Sequence, residues 1–184
     1  MIKWRGTEYR IHPLFTLVLL LSLLTGRFIE TLTLFAIVAI HEMGHVFAAK
    51  GFGWRVRYVQ LLPFGGAAYV DERSGTPPHE ELVVVLAGPL QNLWMIVFSA
   101  LMLWSGTGDA VWWSYFMEAN GWILLFNLLP ILPLDGGRLL LLWLGCRFSY
   151  HGALLFCARI GLVASAAVIF CAFLSPNDGL NLNL

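Results

Sequence analysis

Long apolar runs alternate with short polar segments along this chain and predict five membrane-crossing helices. The runs cover approximately residues 11–25, 28–49, 82–103, 111–134 and 151–174. Most of them approach the roughly 20 apolar residues that a helix needs to cross the hydrocarbon core of a bilayer. Backbone groups within lipid must be hydrogen-bonded inside the segment, which favours helices. The predicted fold class is therefore an all-α polytopic membrane protein.

Two segments depart from this pattern. Residues 139–150, LLLLWLGCRFSY, are too short to cross before Arg147, so they predict an interfacial or re-entrant helix. Residues 54–71 contain the β-rich run VRYVQL, and Pro63 with the following glycine pair supplies a turn. We interpret this second segment as a short β-hairpin that dips toward the membrane. A plain cytoplasmic loop is the alternative.

The composition agrees with a membrane protein and excludes some partners. Of the 184 residues, 59% are hydrophobic and only 12% are charged, against about 25% charged residues in a typical soluble domain. The 11 basic and 11 acidic residues cancel, so no electrostatic argument favours nucleic acid as a partner. The three cysteines show no CxxC spacing and are interpreted as small apolar core residues.

The distribution of basic residues predicts how the chain is oriented. They lie before the first span and between the second and third spans: Lys3, Arg5, Arg10, Lys50, Arg55, Arg57 and Arg73. The loops predicted on the opposite side contain only Arg27. Cytoplasmic loops carry an excess of lysine and arginine. We therefore expect a multi-pass protein of the cell membrane, with its N-terminus in the cytoplasm and the lipid bilayer as its surroundings.

The second span contains three ionisable side chains, in the sequence HEMGH at residues 41–45. His41 and His45 are four residues apart, so they share one helix face with Cβ atoms about 5–6 Å apart, which suits two imidazole ligands of one Zn²⁺. Glu42 has the place of the general base in this pattern. Ionisable groups deep in a span cost at least a few kcal/mol each, which favours a metal site over a buried His–Glu hydrogen-bond network.

A catalytic zinc normally has three protein ligands, and several side chains are candidates for the third. They are Asp71, Glu72, His79, Glu80, Glu81, Glu118 and Asp135. Asp135 is preferred because spans two and four are predicted to be parallel and it lies at the cytoplasmic end of span four. Pro130 and Pro133 interrupt the helix there, and Gly136 and Gly137 allow close backbone approach. The sequence thus predicts one zinc per chain.

Two asparagines in the spans permit two interpretations. Asn92 and Asn127 could hydrogen-bond a developing oxyanion or hold an extended substrate. They could equally form hydrogen bonds between helices. Both interpretations remain open at this point.

The motifs HEMGH, AGPLQN at 87–92 and NLLPILPLDGG at 127–137, in this order, resemble the site-2 protease family of intramembrane zinc metalloproteases. The resemblance implies that His41, His45 and Asp135 bind zinc and that Glu42 is the catalytic glutamate. It also implies which residues lie beside a substrate: Asn127 and Pro133 at the site, and Phe64, Gly65 and Gly66 in the membrane-dipping loop.

The stretches LLTGRF, LLPFGG and NLLPILPLDGGR further resemble the sporulation proteases of this family, which process a sigma-factor precursor. This resemblance implies a membrane-associated protein substrate, such as a pro-sigma factor. A buried active site would also suit regulation by a membrane-protein inhibitor. Those proteases have a sixth span and a CBS domain. Here we expect residues 1–184 to form a single domain without a CBS domain.

Two other functions compete with proteolysis. A metal-ion transporter, or another metal-binding membrane protein, would carry polar groups along a whole pathway, whereas here they cluster at one depth. A non-catalytic membrane scaffold would not need an intact HExxH motif together with the LDG sequence at residues 134–136. The sequence therefore favours an intramembrane protease over both.

Overall fold

The computed structural model describes residues 2–4, 7–11, 13–62, 65–71 and 76–174, and the chain divides into two compact units, Met1–Asn127 and Leu128–Leu184. The elements of the first unit are β1 (Ile2–Trp4), β2 (Thr7–Ile11), α1 (Pro13–Leu24), α2 (Phe28–Gly51), β3 (Arg55–Leu62), β4 (Gly65–Asp71), α3 (Pro78–Ser105) and α4 (Ala110–Asn127). Those of the second unit are α5 (Asp135–Gly145) and α6 (Tyr150–Leu174). The fold is mostly helical, as the apolar pattern predicts.

Within the described ranges, three helices are long and apolar enough to cross a membrane: α2, α3 and residues Tyr150–Cys171 of α6. The first apolar run forms the shorter helix α1, of 12 residues, and α4 is not among the three. The prediction of five crossings is therefore not confirmed. Helix α4 also ends at Asn127 rather than near Leu134, because Pro130 and Pro133 lack backbone donors and cannot continue a helix.

The strands form one four-stranded sheet in the order β1-β2-β3-β4, so β4 is an edge strand. Strands β3 and β4 are antiparallel, with Gln60 opposite Ala67 and Val59 opposite Ala68. Strand β2 pairs in parallel with β3, which the sequence analysis did not foresee. Both β3 and β4 lie beside α2. Whether this sheet dips into the membrane stays a prediction.

Glycine and proline determine where the two central helices begin and end. After α2, Gly53 has a φ of +75°, and its N–H donates to the Lys50 carbonyl, as expected of glycine beyond a helix C-terminus. Helix α3 begins with Pro78, where a missing backbone N–H has no cost. It ends at Ser105 and is followed by Gly106, whose φ is +66°. The second and third apolar runs thus become two long, well-bounded helices.

Helices α2 and α3 pack tightly, and their contact face positions the histidines. The face of α2 follows a spacing of four residues: Thr33, Ile37, His41, His45 and Ala49. Ile37 packs with Met95 at one level, and Ala49 packs with Val84 at another. A Cβ at Gly44 would lie 2.5 Å from the Ala87 carbonyl oxygen, which confirms that Gly44 lets a second helix approach closely.

In the second unit, α5 begins against an irregular segment formed by residues 128–134. A Cβ on Gly136 would meet the backbone of Leu128, and one on Gly137 would lie 2.5 Å from the Ile131 carbonyl carbon. The helix that the sequence predicts over 139–150 instead occupies Asp135–Gly145. It starts earlier because the two glycines let its first turn fold directly against this segment.

Candidate metal centre

His41 and His45 bring two imidazole nitrogens together on α2. Their Nε2 atoms are 3.2 Å apart, and the rings meet edge to face. His41 is buried, with 3% of its surface exposed, and His45 is half-buried. Two nitrogen ligands at 2.0–2.1 Å from a tetrahedral zinc lie about 3.3 Å from each other. The spacing of the two Nε2 atoms therefore fits two ligand positions of a tetrahedral zinc site.

The other nitrogen of each ring is held by an oxygen. The Nδ1 atom of His45 lies 2.8 Å from the Val84 carbonyl, and that of His41 lies 2.6 Å from Oδ1 of Asn92. A carbonyl oxygen only accepts, so each Nδ1 carries the proton and donates it. With the proton on Nδ1, the Nε2 atom of a neutral ring has a lone pair that can bind a metal ion. Such oxygen partners are usual for metal-binding histidines.

Asn92 belongs to a buried chain of hydrogen bonds that continues into α4. Its Nδ2 donates to Oδ1 of Asn120 over 3.0 Å, and Nδ2 of Asn120 donates to the Phe116 carbonyl over 2.8 Å. Both asparagine side chains are fully buried. Of the two interpretations left open for Asn92, the structure favours the hydrogen bond between helices, because the side chain faces His41 and Asn120.

The backbone of α3 lies directly against both histidine rings. A Cβ on Gly88 would overlap Nε2 and Cε1 of His45 and would lie 2.8 Å from Cε1 of His41. Any larger residue would push the rings away from their present positions. Gly88 thus provides the space in which the two Nε2 atoms come together.

Glu42 follows His41 directly on α2 and is half-buried. Its role as general base stays a prediction.

Asp135 lies in the second unit as the first residue of α5, with 8% of its surface exposed. A carboxylate is stabilised at a helix N-terminus by the partial positive charge of the helix dipole. The two glycines that follow it, Gly136 and Gly137, pack closely against the irregular segment before the helix. A carboxylate is one of the ligand types that zinc accepts.

The residues predicted to contact substrate lie in several places. Nδ2 of Asn127 donates to the Ile123 carbonyl within α4, and Pro133 is exposed. Gly65 and Gly66 begin β4, opposite Leu62 and Leu61 of β3. Phe64 lies outside the described residues. None of these positions tests a contact with substrate.

The other candidates for a third zinc ligand have different surroundings. Glu80 accepts a hydrogen bond from the indole N–H of Trp54 over 2.8 Å, and Glu118 accepts one from Trp122. Asp71 ends β4 opposite Arg55, and Glu72 lies outside the described residues. The two glutamates thus serve as indole acceptors.

Sequence reasoning missed three contributors to this centre. Asn120 had a visible signal, because a polar residue inside an apolar span is functional by default. Gly88 gave a weaker signal as a small residue in a span. The Val84 carbonyl gave none, since every residue has a backbone carbonyl and only the packing of α3 on α2 selects this one.

Comparisons with known proteins agree with this geometry. A family model described as peptidase family M50 matches residues 29–110. The chain is 38% identical to stage IV sporulation protein FB of Bacillus subtilis (strain 168) over 176 residues, covering 95% of this chain and 59% of that protein. It is 30% identical to a zinc metalloprotease of Methanocaldococcus jannaschii, covering 96% of this chain and 54% of that protein. The chain therefore spans a little more than half the length of these relatives.

A solved structure is also similar to this fold. The site-2 protease from Methanocaldococcus jannaschii superimposes with a TM-score of 0.70 and 27% sequence identity. The match covers 96% of this chain and 85% of that one. The similarity extends over nearly all of the chain.

Proposed function

We propose that this chain, which is similar to peptidase family M50 over residues 29–110, is an intramembrane zinc metalloprotease of that family. It hydrolyses a peptide bond of a membrane-associated protein. One observation supports this proposal above all others. Two histidines within an apolar helix bring their Nε2 atoms to 3.2 Å from each other, while oxygen atoms lie within hydrogen-bond distance of both Nδ1 atoms.

The proposed zinc ligands are His41, His45 and Asp135. Two imidazoles and one carboxylate, with one position left for water or substrate, form a known catalytic zinc shell. The burial of Asp135 and the matched Nδ1 partners of the histidines support this choice. Metal analysis of the purified chain should find about one zinc, as expected of a mononuclear site. Equal zinc content after His41→Ala and His45→Ala would contradict the assignment.

His41, His45 and Asp135 would hold the zinc ion, which would supply a Lewis acid for the scissile carbonyl and would lower the pKa of a water molecule to about 7. Glu42 accepts the proton of the attacking water and passes it to the leaving amine, the role of a general base and then a general acid. Asn127 and Pro133 line the position of the substrate. The low polarity of the surrounding spans keeps bulk water from competing with these steps.

A substrate peptide must be extended before its backbone can be attacked, and β4 offers a partner for it. As the edge strand beside α2, β4 can add one extended strand through main-chain hydrogen bonds. Gly65 and Gly66 begin β4, and together with Phe64, which precedes them in the sequence, they are the proposed substrate-contacting residues of this segment. Proline at Ala67 or Ala68 removes one backbone donor, and one of these two variants should lose cleavage while it keeps zinc. Parental cleavage by both would exclude this role.

The active site faces the cytoplasm, and α1 and α4 cross the membrane together with the three longer helices. The support is the cluster of basic residues in the last turn of α2 and beyond it, such as Lys50 and Arg55. A cysteine introduced at Ser74 should label from the cytoplasmic side, and one at Gly106 from the other side. Reversed labelling would overturn the orientation.

The substrate is the precursor of a sporulation sigma factor, and a membrane-protein inhibitor regulates its cleavage. The support is the 38% identity to stage IV sporulation protein FB. Co-expression of the chain with such a precursor tests the substrate directly. A precursor that stays uncleaved while another tethered protein is cut would contradict it.

The decisive experiment compares the parent with Glu42→Gln on a tethered substrate in membranes. Glutamine keeps the shape of the side chain but cannot accept the proton, so cleavage should be lost while zinc is retained. Glu118→Gln is the matched control, because Glu118 makes its hydrogen bond to Trp122. Cleavage by Glu42→Gln at the parental rate would show that another group is the base. A transporter would leave the substrate uncut in every variant.

A further inference from the structure

We infer that Asn120 is a positioning residue for His41. Through Asn92, it determines which ring nitrogen of His41 carries the proton and therefore which one is available to the metal. The inference rests on the proposed zinc site. It assigns a task to a residue of α4 that lies two hydrogen bonds away from the ring.

The backbone carbonyl of Phe116 fixes the direction of every hydrogen bond in the series, because a carbonyl cannot become a donor. The Phe116 carbonyl is a backbone oxygen and can only accept, so the Asn120 amide turns its NH₂ group toward it. Oδ1 of Asn120 then faces Asn92 and requires a donor, which is Nδ2 of Asn92. Oδ1 of Asn92 consequently faces His41, and the proton of the ring must be on Nδ1.

The reversed arrangement would prevent metal binding. If the Asn92 amide rotated by half a turn, its NH₂ group would face His41, and Nδ1 would have to accept. The neutral ring would then carry its proton on Nε2. A protonated nitrogen has no lone pair for a metal. Without the hydrogen bond to Asn120, the Asn92 amide could adopt both orientations, because its oxygen and its NH₂ group have nearly the same shape.

Burial makes this restraint effective. The side chains of Asn92 and Asn120 are both fully buried. Because the side chains are buried, water does not easily replace a lost hydrogen bond. A buried polar group that is left without a partner is costly, which favours the one orientation that satisfies every group. This series of hydrogen bonds joins α4 to α3 and α3 to α2. The backbone carbonyl of Phe116 on α4 thereby specifies the tautomer of His41 on α2.

Two substitutions of Asn120 separate positioning from mere packing. Asn120→Leu keeps a similar shape but removes the acceptor for Asn92. Asn120→Asp keeps the acceptor for Asn92, because a carboxyl oxygen can take the place of the amide oxygen. In the protonated form, the other carboxyl oxygen donates to the Phe116 carbonyl. Both variants are purified as the full chain in detergent, and their folding is checked by thermal denaturation. Zinc affinity is measured by competition with a chelator.

We expect Asn120→Leu to bind zinc about 10-fold more weakly, the lower end of the range for residues that orient metal ligands. Asn120→Asp should restore most of this affinity. In the metal-free protein, the imidazole ¹⁵N spectrum should show the His41 proton on Nδ1 in the parent and partly on Nε2 in Asn120→Leu. A folded Asn120→Leu with parental affinity and a parental spectrum would overturn the inference.

A double-mutant cycle covers the case in which the aspartate variant does not fold. If Asn120 acts only through Asn92, then Asn92→Leu combined with Asn120→Leu should bind zinc as weakly as Asn92→Leu alone. Additive losses would mean that Asn120 acts independently, and the inference would be wrong. These readouts need no substrate. Failure of the protease proposal would appear instead as absent cleavage by a parent that binds zinc normally.

Discussion

His41 and His45 carry their protons on the same nitrogen, but they obtain this arrangement in different ways. The Nδ1 atom of His45 donates to the backbone carbonyl of Val84, a partner that exists whatever the side chain at that position. That of His41 donates to Asn92, whose orientation depends on Asn120. One imidazole is therefore held by the distance between two helices, and the other is held by the chemistry of a neighbouring side chain.

The two arrangements should therefore respond to different changes. Anything that separates α2 from α3 removes the Val84 carbonyl from His45 and also moves Asn92 from His41. A change in the asparagines alone leaves the helix spacing and His45 intact. The following predictions use this contrast, with zinc affinity as the common measurement.

The largest effect is expected from Gly88→Ala, which affects both histidines at once. The added Cβ would overlap the ring of His45 and press on Cε1 of His41, so neither Nε2 could stay in place. Zinc affinity should fall by about 100-fold or more, at or beyond the upper end of the range for residues around a metal site. Gly121→Ala is the matched control, because a Cβ there meets nothing within 4 Å. Similar affinity in both variants would show that the close approach of α3 does not matter.

An intermediate effect is expected from Asn92→Leu, which affects His41 alone. The leucine cannot accept the Nδ1 proton, so zinc affinity should fall by about 10–100-fold. In imidazole ¹⁵N spectra of the metal-free protein, the ring-nitrogen resonances of His41 should change and those of His45 should stay the same. Equal changes in both rings would mean that the helices had moved, and the contrast between the two ligands would disappear.

The smallest effect on zinc is expected from Val84→Ala. The substitution keeps the backbone carbonyl that accepts from His45, and it removes only methyl groups packed near Val46, Ala49 and Val56. The free energy of unfolding should decrease by on the order of 1–2 kcal/mol, as expected for a buried valine. Zinc affinity should change far less than in Asn92→Leu. A loss as large as that of Asn92→Leu would show that side-chain packing, and not the carbonyl, holds His45.

Much of the helical arrangement was predictable from hydrophobic pattern, and its irregular parts were less so. The second and third spans agree closely with α2 and α3, because long apolar runs in lipid can only be helices. Span four was predicted to reach residue 134 but ends at Asn127, where two nearby prolines override the apolar pattern. Strands β1 and β2 were not foreseen, since their pairing with β3 depends on contacts between residues far apart in the chain.

By itself, the sequence determined the residue types of the site and their order. The spacing of His41 and His45 on one helix face follows from the 3.6-residue period, and the resemblance to a known family follows from short motifs. Only the tertiary structure decided how these groups are used. The partners of the two Nδ1 atoms, the direction of the asparagine chain and the need for glycine at position 88 all arise where α2, α3 and α4 meet. Hydrogen bonds of this kind depend on distance and orientation between helices, which no local sequence pattern records.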